Sequence, residues 1–267
     1  LESKFINYKG ATLHYLKYGN GSKALICFHG YGQDASVFQP LVKRLGTEYT
    51  LFSFDLFFHG KSEWKNCETP LSADILVSAL QKLTVQENVS DINLCGYSLG
   101  GKVVMSILKN SKIKINKLLL IAPDGIQTNF WYDLATYPYW ARKIFKHTIY
   151  HPFWFYITIN ALEKMALLDK GVVKFAKSQM NNVSNRKKVY STWLTYRKLR
   201  PTPESLANKI NEEEIQLVMY LGKYDRIITQ QSVEPLLKRL NQFELFMLNT
   251  GHNNLIKEVA KDELFVF

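Results

Sequence analysis

Little in this chain is suited to covalent cross-linking. Its 267 residues hold three cysteines, Cys27, Cys67 and Cys95, an odd number without a spacing pattern. That excludes a disulfide framework and a cysteine-built zinc site. Cys27 and Cys95 fall in short apolar runs that read as buried strands, and are expected as small hydrophobes in a reducing compartment. Long hydrophobic runs are lacking too. The richest, "IYHPFWFYITI", is short and holds His151 and Pro152, which excludes a bilayer-spanning helix. No opening segment has the charged, apolar and small-residue zones of a secretory signal. The chain starts at Leu1 without methionine, so a cytoplasmic location is an expectation compatible with a leader removed beforehand. There is no internal repeat and no low-complexity tract. "GYGQDAS" lacks the Gly-Lys-Ser/Thr ending of a phosphate loop, so no cofactor and no metal is expected.

Acidic residues are also in short supply. There are 34 Lys and Arg against 23 Asp and Glu, a net charge of +11. The imbalance is uneven: the stretch from Asp124 to Glu204 carries 13 basic and 5 acidic residues, leaving only +3 for the rest.

What is present is an alternation. "FINYKG" and "ATLHYLKYG" read as two strands turning at Gly10. "KALICFHG" and "YTLFSFDL" read as buried strands, the second ending at Asp55. Ser72 is a fair N-cap for a helix to Leu83. "DINLCG", "INKLLLIAP", "EIQLVMYLG" and "FELFMLN" are further strands, with helices over Gly100–Lys109, Val233–Leu240 and Asn254 to the end. Strands alternating with helices imply a parallel sheet with right-handed crossovers and helices on both faces. The middle, from about Gly125 to Ala207, has no buried strand. It is aromatic, basic and helical in spacing, and reads as an insertion.

At the end of one strand stands "GYSLG", a match to G-x-S-x-G with a strand before and a helix after. Such a reversal forces the serine into a strained backbone, so its neighbours need almost no side chain. Ser98 is thereby held at the carboxyl end of the sheet, against a helix N-terminus with free N–H groups. A serine hydroxyl needs a base within reach, and open α/β sheets build sites at later strand ends. After "IQLVMYLG" comes Asp225, and after "FELFMLN" comes His252. Asp124, following "LLLIAP", is an alternative acid. His14, His147 and His151 suit the role of base less well.

The motifs "HGYGQD", "FDLFFHGKS", "GYSLGG", "GKYDRII" and "GHNN" together make the chain resemble the α/β-hydrolase superfamily over nearly its whole length. The resemblance implies a mostly parallel, doubly wound α/β sheet with a helical lid inserted late in it. The core would be residues 1–123 and 208–267, and the lid 124–207. It implies Ser98 as nucleophile, His252 as general base and then acid, and Asp225 as the group orienting His252. It implies an oxyanion hole from the backbone N–H groups of Tyr31 and Leu99, with His29 supporting the loop. One departure is visible: relatives often carry Gly-His-Gly-x-Ser where this chain has Phe58-His59-Gly60-Lys61-Ser62. The first glycine is missing, so the turn is expected to differ, with Phe57 or Phe58 directed into the pocket. Relatives with an aspartate nucleophile, such as dehalogenases and epoxide hydrolases, are disfavoured by Ser98.

Between Phe130 and Tyr156 there are 12 aromatics in 27 residues. Three readings stay open. The preferred one is packing within the lid beneath a solvated basic face. The second is an apolar pocket for an acyl or aryl group. The third is a surface that meets a membrane or a nucleic acid; no nucleic-acid motif accompanies it. The positive charge also raises the hypothesis of an anionic substrate. The resulting expectation is a serine hydrolase cleaving a carboxylic ester or similar acyl bond of a small molecule. The alternatives are C–C bond hydrolysis or lysis of a carboxylated dienoate, thioester hydrolysis or acyl transfer, and a triad-bearing receptor without catalysis.

Overall fold

The computed structural model describes residues 1–127, 130–168, 170–263 and 267. Among these residues there are nine strands: β1 (Glu2–Tyr8), β2 (Ala11–Tyr18), β3 (Lys23–Phe28), β4 (Tyr49–Phe54), β5 (Glu63–Trp64), β6 (Ile92–Tyr97), β7 (Ile115–Ile121), β8 (Gln216–Gly222) and β9 (Glu244–Leu248). Eleven α-helices accompany them: α1 (Gln39–Leu45), α2 (Ala73–Glu87), α3 (Leu99–Asn110), α4 (Phe130–Thr136), α5 (Tyr139–Thr148), α6 (Phe153–Lys164), α7 (Lys170–Gln179), α8 (Val183–Tyr196), α9 (Pro203–Glu212), α10 (Gln230–Leu237) and α11 (Leu255–Lys261). They divide into two compact units, one of Leu1–Lys65, Ser72–Gln127 and Leu199–Phe267, the other of Asn66–Leu71 and Thr128–Lys198.

The first unit is built on one sheet in the order β1-β2-β4-β3-β6-β7-β8-β9, with β5 paired to β2. From β4 to β9 every pairing is parallel; β2 runs antiparallel to β1, β4 and β5. The β1–β2 hairpin closes through Lys9 and Gly10, both at positive φ, as a two-residue turn matching the strand twist requires. Every residue of β4 and β6 is buried. That suits central strands covered on both faces and explains their unbroken apolar runs. On one face Leu76, Ala79 and Leu80 of α2 are buried and line one small cavity with Ile26, Phe28 and Phe54; a fully buried leucine, isoleucine or phenylalanine contributes roughly 1.5–3 kcal/mol. Ser72 accepts a hydrogen bond from the Asp74 N–H and starts α2. Cys27 and Cys95 are both buried and lie opposite each other in β3 and β6. Burial, with the neighbouring Cys95, holds the Cys27 thiol well above its ordinary range.

The second unit is helical. Ile149, Tyr190 and Leu194 form its small core, with Cys67 and Phe145 against them. The buried Arg186 ties it further, donating through Nε to Ile149 O and through Nη1 to Met180 O, each at 2.7 Å. Residues 66–71 join it because Leu71 N–H donates to Thr195 O at 2.8 Å and Arg197 Nη2 donates to Glu68 O at 2.9 Å.

This unit differs from the insertion expected over 124–207. Residues 199–207 fall with the sheet, since α9 buries Leu206, Ala207 and Ile210 and packs on α3 and α10. The aromatics differ as well. Of the 12 between Phe130 and Tyr156, eight are exposed, four are half-buried and none is buried. Packing within the insertion accounts for half-buried rings such as Phe145 and Tyr132, but not for the eight exposed ones.

Candidate active site

The reversal from β6 to α3 takes place at a single residue. Ser98 has φ 51° and ψ −118°, the left-handed half of the map, where a side chain crowds its own carbonyl. Three backbone bonds hold it there. Its N–H donates to Ile121 O at 3.0 Å, and its carbonyl accepts from the N–H groups of Gly101 and Asp124 at 2.8 and 2.9 Å. The flanking glycines answer a close approach. A Cβ on Gly100 would lie 1.8 Å from Phe28 O, so any side chain there would push α3 off β3.

Asp225 leaves the end of β8, its N–H donating to Gly222 O at 3.0 Å. Its Oδ1 accepts from the Ile227 and Ile228 N–H groups at 2.8 and 2.9 Å, which fixes the carboxylate plane. Its Oδ2 stands 2.5 Å from His252 Nδ1. A carboxylate can only accept, so Nδ1 carries the proton and Nε2 presents a lone pair. Ser98 Oγ lies 3.0 Å from that Nε2 and donates to it. The Asp225 side chain is fully buried and that of His252 is 12% exposed. The imidazole is also held by the residue before Ser98, since the Tyr97 ring stacks on it at 5.2 Å and Tyr97 Oη donates to His252 O at 2.7 Å. Burial, and then the charge of Asp225, pushes the Tyr97 phenol up, so it remains a donor.

The loop after β3 runs beside the serine. A Cβ on Gly30 would come within 3.1 Å of Ser98 Cβ. On one side of Tyr31, the Gly30 N–H donates to Gln33 Oε1 at 3.1 Å; on the other, the Gly32 N–H donates to His59 Nε2 at 3.0 Å. Leu99 is the first residue of α3, so its N–H is one of the helix's four without an intrahelical acceptor. The Tyr31 ring meets His59 edge-on at 5.3 Å. Its hydroxyl is buried without a hydrogen-bond partner, and burial pushes that phenol up.

Behind this loop lies a polar framework. His29 is fully buried, accepting at Nε2 from Leu56 N–H at 3.0 Å and donating from Nδ1 to Gly30 O at 2.7 Å. Asp55, at the end of β4, accepts from Ala35 N–H at 2.7 Å, from Lys61 N–H at 2.8 Å and from His14 Nδ1 at 2.7 Å. One carboxylate thus pins the far end of the Tyr31 loop and the loop carrying His59. Phe58, where relatives place a glycine, takes φ 66°, the conformation a glycine would adopt without strain. Phe57 turns into the fold, fully buried against Trp64, rather than into a pocket.

The structure therefore brings together Ser98, His252 and Asp225. Asp124 meets Ser98 only through its backbone. Lys102, one turn into α3, is buried. Gln33, Asp55, His59 and Tyr97 also hold the site. All four fall within the motifs "HGYGQD", "FDLFFHGKS" and "GYSLGG", but nothing in the sequence alone assigns Gln33, Asp55, His59 or Tyr97 a place in the site. Among the described residues no group of three or more His, Cys, Asp or Glu could hold a metal ion. No helix among them is long and apolar enough to cross a membrane.

A model of the alpha/beta hydrolase fold matches residues 23–259. The chain belongs to the α/β-hydrolase family. Within it, this α/β hydrolase is similar to the pimeloyl–acyl-carrier-protein methyl ester esterase of Pectobacterium atrosepticum, 30% identical over 114 residues, or 42% of this chain and 41% of that esterase. The chain thus matches about two fifths of the length of that curated relative. Two solved structures share the fold over nearly the full length. A thermophilic esterase from Thermogutta terrifontis has a TM-score of 0.68 at 14% identity, covering 98% of this chain and 95% of its own. A single-site mutant of a meta-cleavage product hydrolase has a TM-score of 0.63 at 15% identity, covering 97% and 94%.

Proposed function

We propose that this α/β hydrolase cleaves a carboxylic ester of a small molecule through an acyl-enzyme on Ser98. The observation that carries this reading is the hydrogen-bonded chain from Ser98 Oγ through His252 to Asp225. In the proposed reaction His252 Nε2 takes the hydroxyl proton as Oγ attacks the carbonyl carbon. Asp225 keeps Nδ1 protonated and stabilises the imidazolium that forms. The negative charge develops on the carbonyl oxygen, and the backbone N–H groups of Tyr31 and Leu99 are the proposed donors to it. A donor of this kind supplies on the order of 10²–10³ in rate. Collapse breaks the C–O bond, and His252 returns the proton to the leaving alkoxide. Water then attacks the acyl-enzyme by the same proton path and releases the acid and Ser98.

An ester is favoured over the alternatives because the similar curated relative is a methyl ester esterase. C–C hydrolysis would use the same groups on a different bond. Fluorophosphonate labelling with a series of p-nitrophenyl esters tests the proposal. The expected result is stoichiometric labelling of Ser98, and a loss of at least about 10⁴-fold in ester turnover in Ser98→Ala. Labelling without ester turnover would transfer the assignment to C–C cleavage, and no labelling would leave a binding protein.

A further inference from the structure

The second unit carries an apolar surface that the proposed reaction does not use. Of the 21 large hydrophobic side chains that are exposed among the described residues, 14 lie between Phe130 and Val183. Six of them lie on α5 and α6. In α6 the one buried residue is Ile159. Phe153 and Trp154 are 66% and 68% exposed, with Ile157 a turn further and Met165 and Leu167 beyond the helix end. On α5, Tyr139, Trp140 and Ile144 are exposed on one side. A helix of a globular domain turns its polar face to water; α6 turns out aromatic and aliphatic residues. Apolar exposure gathered in this way marks a contact surface rather than the scattered exposure of any protein.

The charge around it indicates the partner. The unit holds twelve Lys and Arg against four Asp and Glu, a net +8. Exposed Lys143 and Lys164 flank the apolar residues, and Lys143 Nζ lies 4.6 Å above the Tyr139 ring. Two copies of a +8 surface repel, which argues against self-association through this face. Single-stranded nucleic acid stacks its bases on aromatic rings within a basic groove, and the aliphatic Ile157, Met165 and Leu167 offer no such stacking. Exposed tryptophan, tyrosine and aliphatic side chains with lysines among them have the composition of a bilayer interface contact.

We propose that α5 and α6 dock the protein onto the surface of an anionic lipid bilayer, with Trp140, Phe153, Trp154 and Ile157 entering the interface and the lysines meeting lipid phosphates. The residues concerned are outside the proposed catalytic groups, so the two proposals fail independently.

The test is flotation of the full chain with vesicles of phosphatidylglycerol in phosphatidylcholine, beside vesicles of phosphatidylcholine alone. The protein is expected to float with the anionic vesicles, and brominated lipid is expected to quench its tryptophan emission. Phe153→Ser with Trp154→Ser should weaken vesicle binding by at least about tenfold, and Lys143→Glu with Lys164→Glu should remove the preference for anionic lipid. All variants change exposed side chains, so circular dichroism and fluorophosphonate labelling should match the wild type. The proposal is overturned if the wild type stays at the bottom of the gradient in both mixtures, or if the aromatic pair changes nothing. It is also overturned if single-stranded RNA displaces the vesicles, or if sedimentation shows a dimer that the aromatic variant dissolves.

Discussion

At the scale of single residues, the structure contains the sequence Ser–His–Asp twice. Ser98, His252 and Asp225 form one chain. Ser3 Oγ lies 2.8 Å from His14 Nε2, and His14 Nδ1 lies 2.7 Å from Asp55 Oδ2, which makes the other. Side-chain distances do not separate them. The backbone does. Ser3 stands in β1, in register with Leu16, where the strand's amides belong to the ladder. Ser98 stands at φ 51° before the first turn of α3, beside the amides proposed to receive the oxyanion. If fixed backbone donors contribute most of the rate, a fluorophosphonate will react at Ser98 alone. In Ser98→Ala, peptide mapping should find no adduct at Ser3 even at long exposure. An adduct there would mean that the three side chains suffice and that the strained turn is not what selects the nucleophile. The strained turn was itself legible in "GYSLG", because only glycines permit it. The Ser3 network was not legible, since a serine and a histidine on neighbouring strands have no spacing rule until the register is known.

At the scale of elements, legibility followed how far local chemistry decides the outcome. The β1–β2 hairpin, the start of α2 at Ser72 and the buried runs of β3, β4, β6 and β7 all lay in the sequence as turn residues, a cap and apolar runs. The two-residue β5 did not, because nothing in "EW" distinguishes a strand from a loop. Nor did the edges of the insertion, where α9 is claimed by contacts with α3 and α10. Its aromatics read alike whether buried or exposed, because spacing gives a face and not a partner. One junction between elements carries a pH dependence. The Glu87 side chain, at the end of α2, is only 3% exposed. Lys17 and Lys4 donate to it at 2.7 and 2.9 Å, and Tyr15 at 2.7 Å, so it fastens α2 to β1 and β2. Burial alone would raise its carboxyl; the bonds from Lys17, Tyr15 and Lys4 outweigh burial and bring it from 4.5 to about 2. The folded protein then binds fewer protons than the unfolded chain. The stabilisation is complete above pH 4.5 and is lost as pH falls towards 2, and it amounts to about 3 kcal/mol. Urea unfolding of the wild type and Glu87→Gln at stepped pH should show a gap of that order near neutrality, closing below pH 4.5. A gap constant across that range would mean that packing, and not ionisation, joins these elements.

At the scale of the whole molecule the dominant fact is charge. A net +11 sets up a potential that attracts anions within a Debye length, about 10 Å at 0.1 M salt. Small anionic substrates would be concentrated near the surface and neutral ones would not. The consequence for catalysis can be isolated with two esters of the same acyl length, one ending in a methyl group and one in a carboxylate. For the carboxylated ester, kcat/KM should fall by up to about tenfold as salt rises from low to physiological strength. For the neutral twin it should hold steady, since nothing about it is steered. A parallel fall in both would point to salt acting on the fold. Two flat profiles would mean that the positive charge faces away from the substrate's path, and would leave the anionic bilayer proposed for α5 and α6 as the reason a hydrolase carries it.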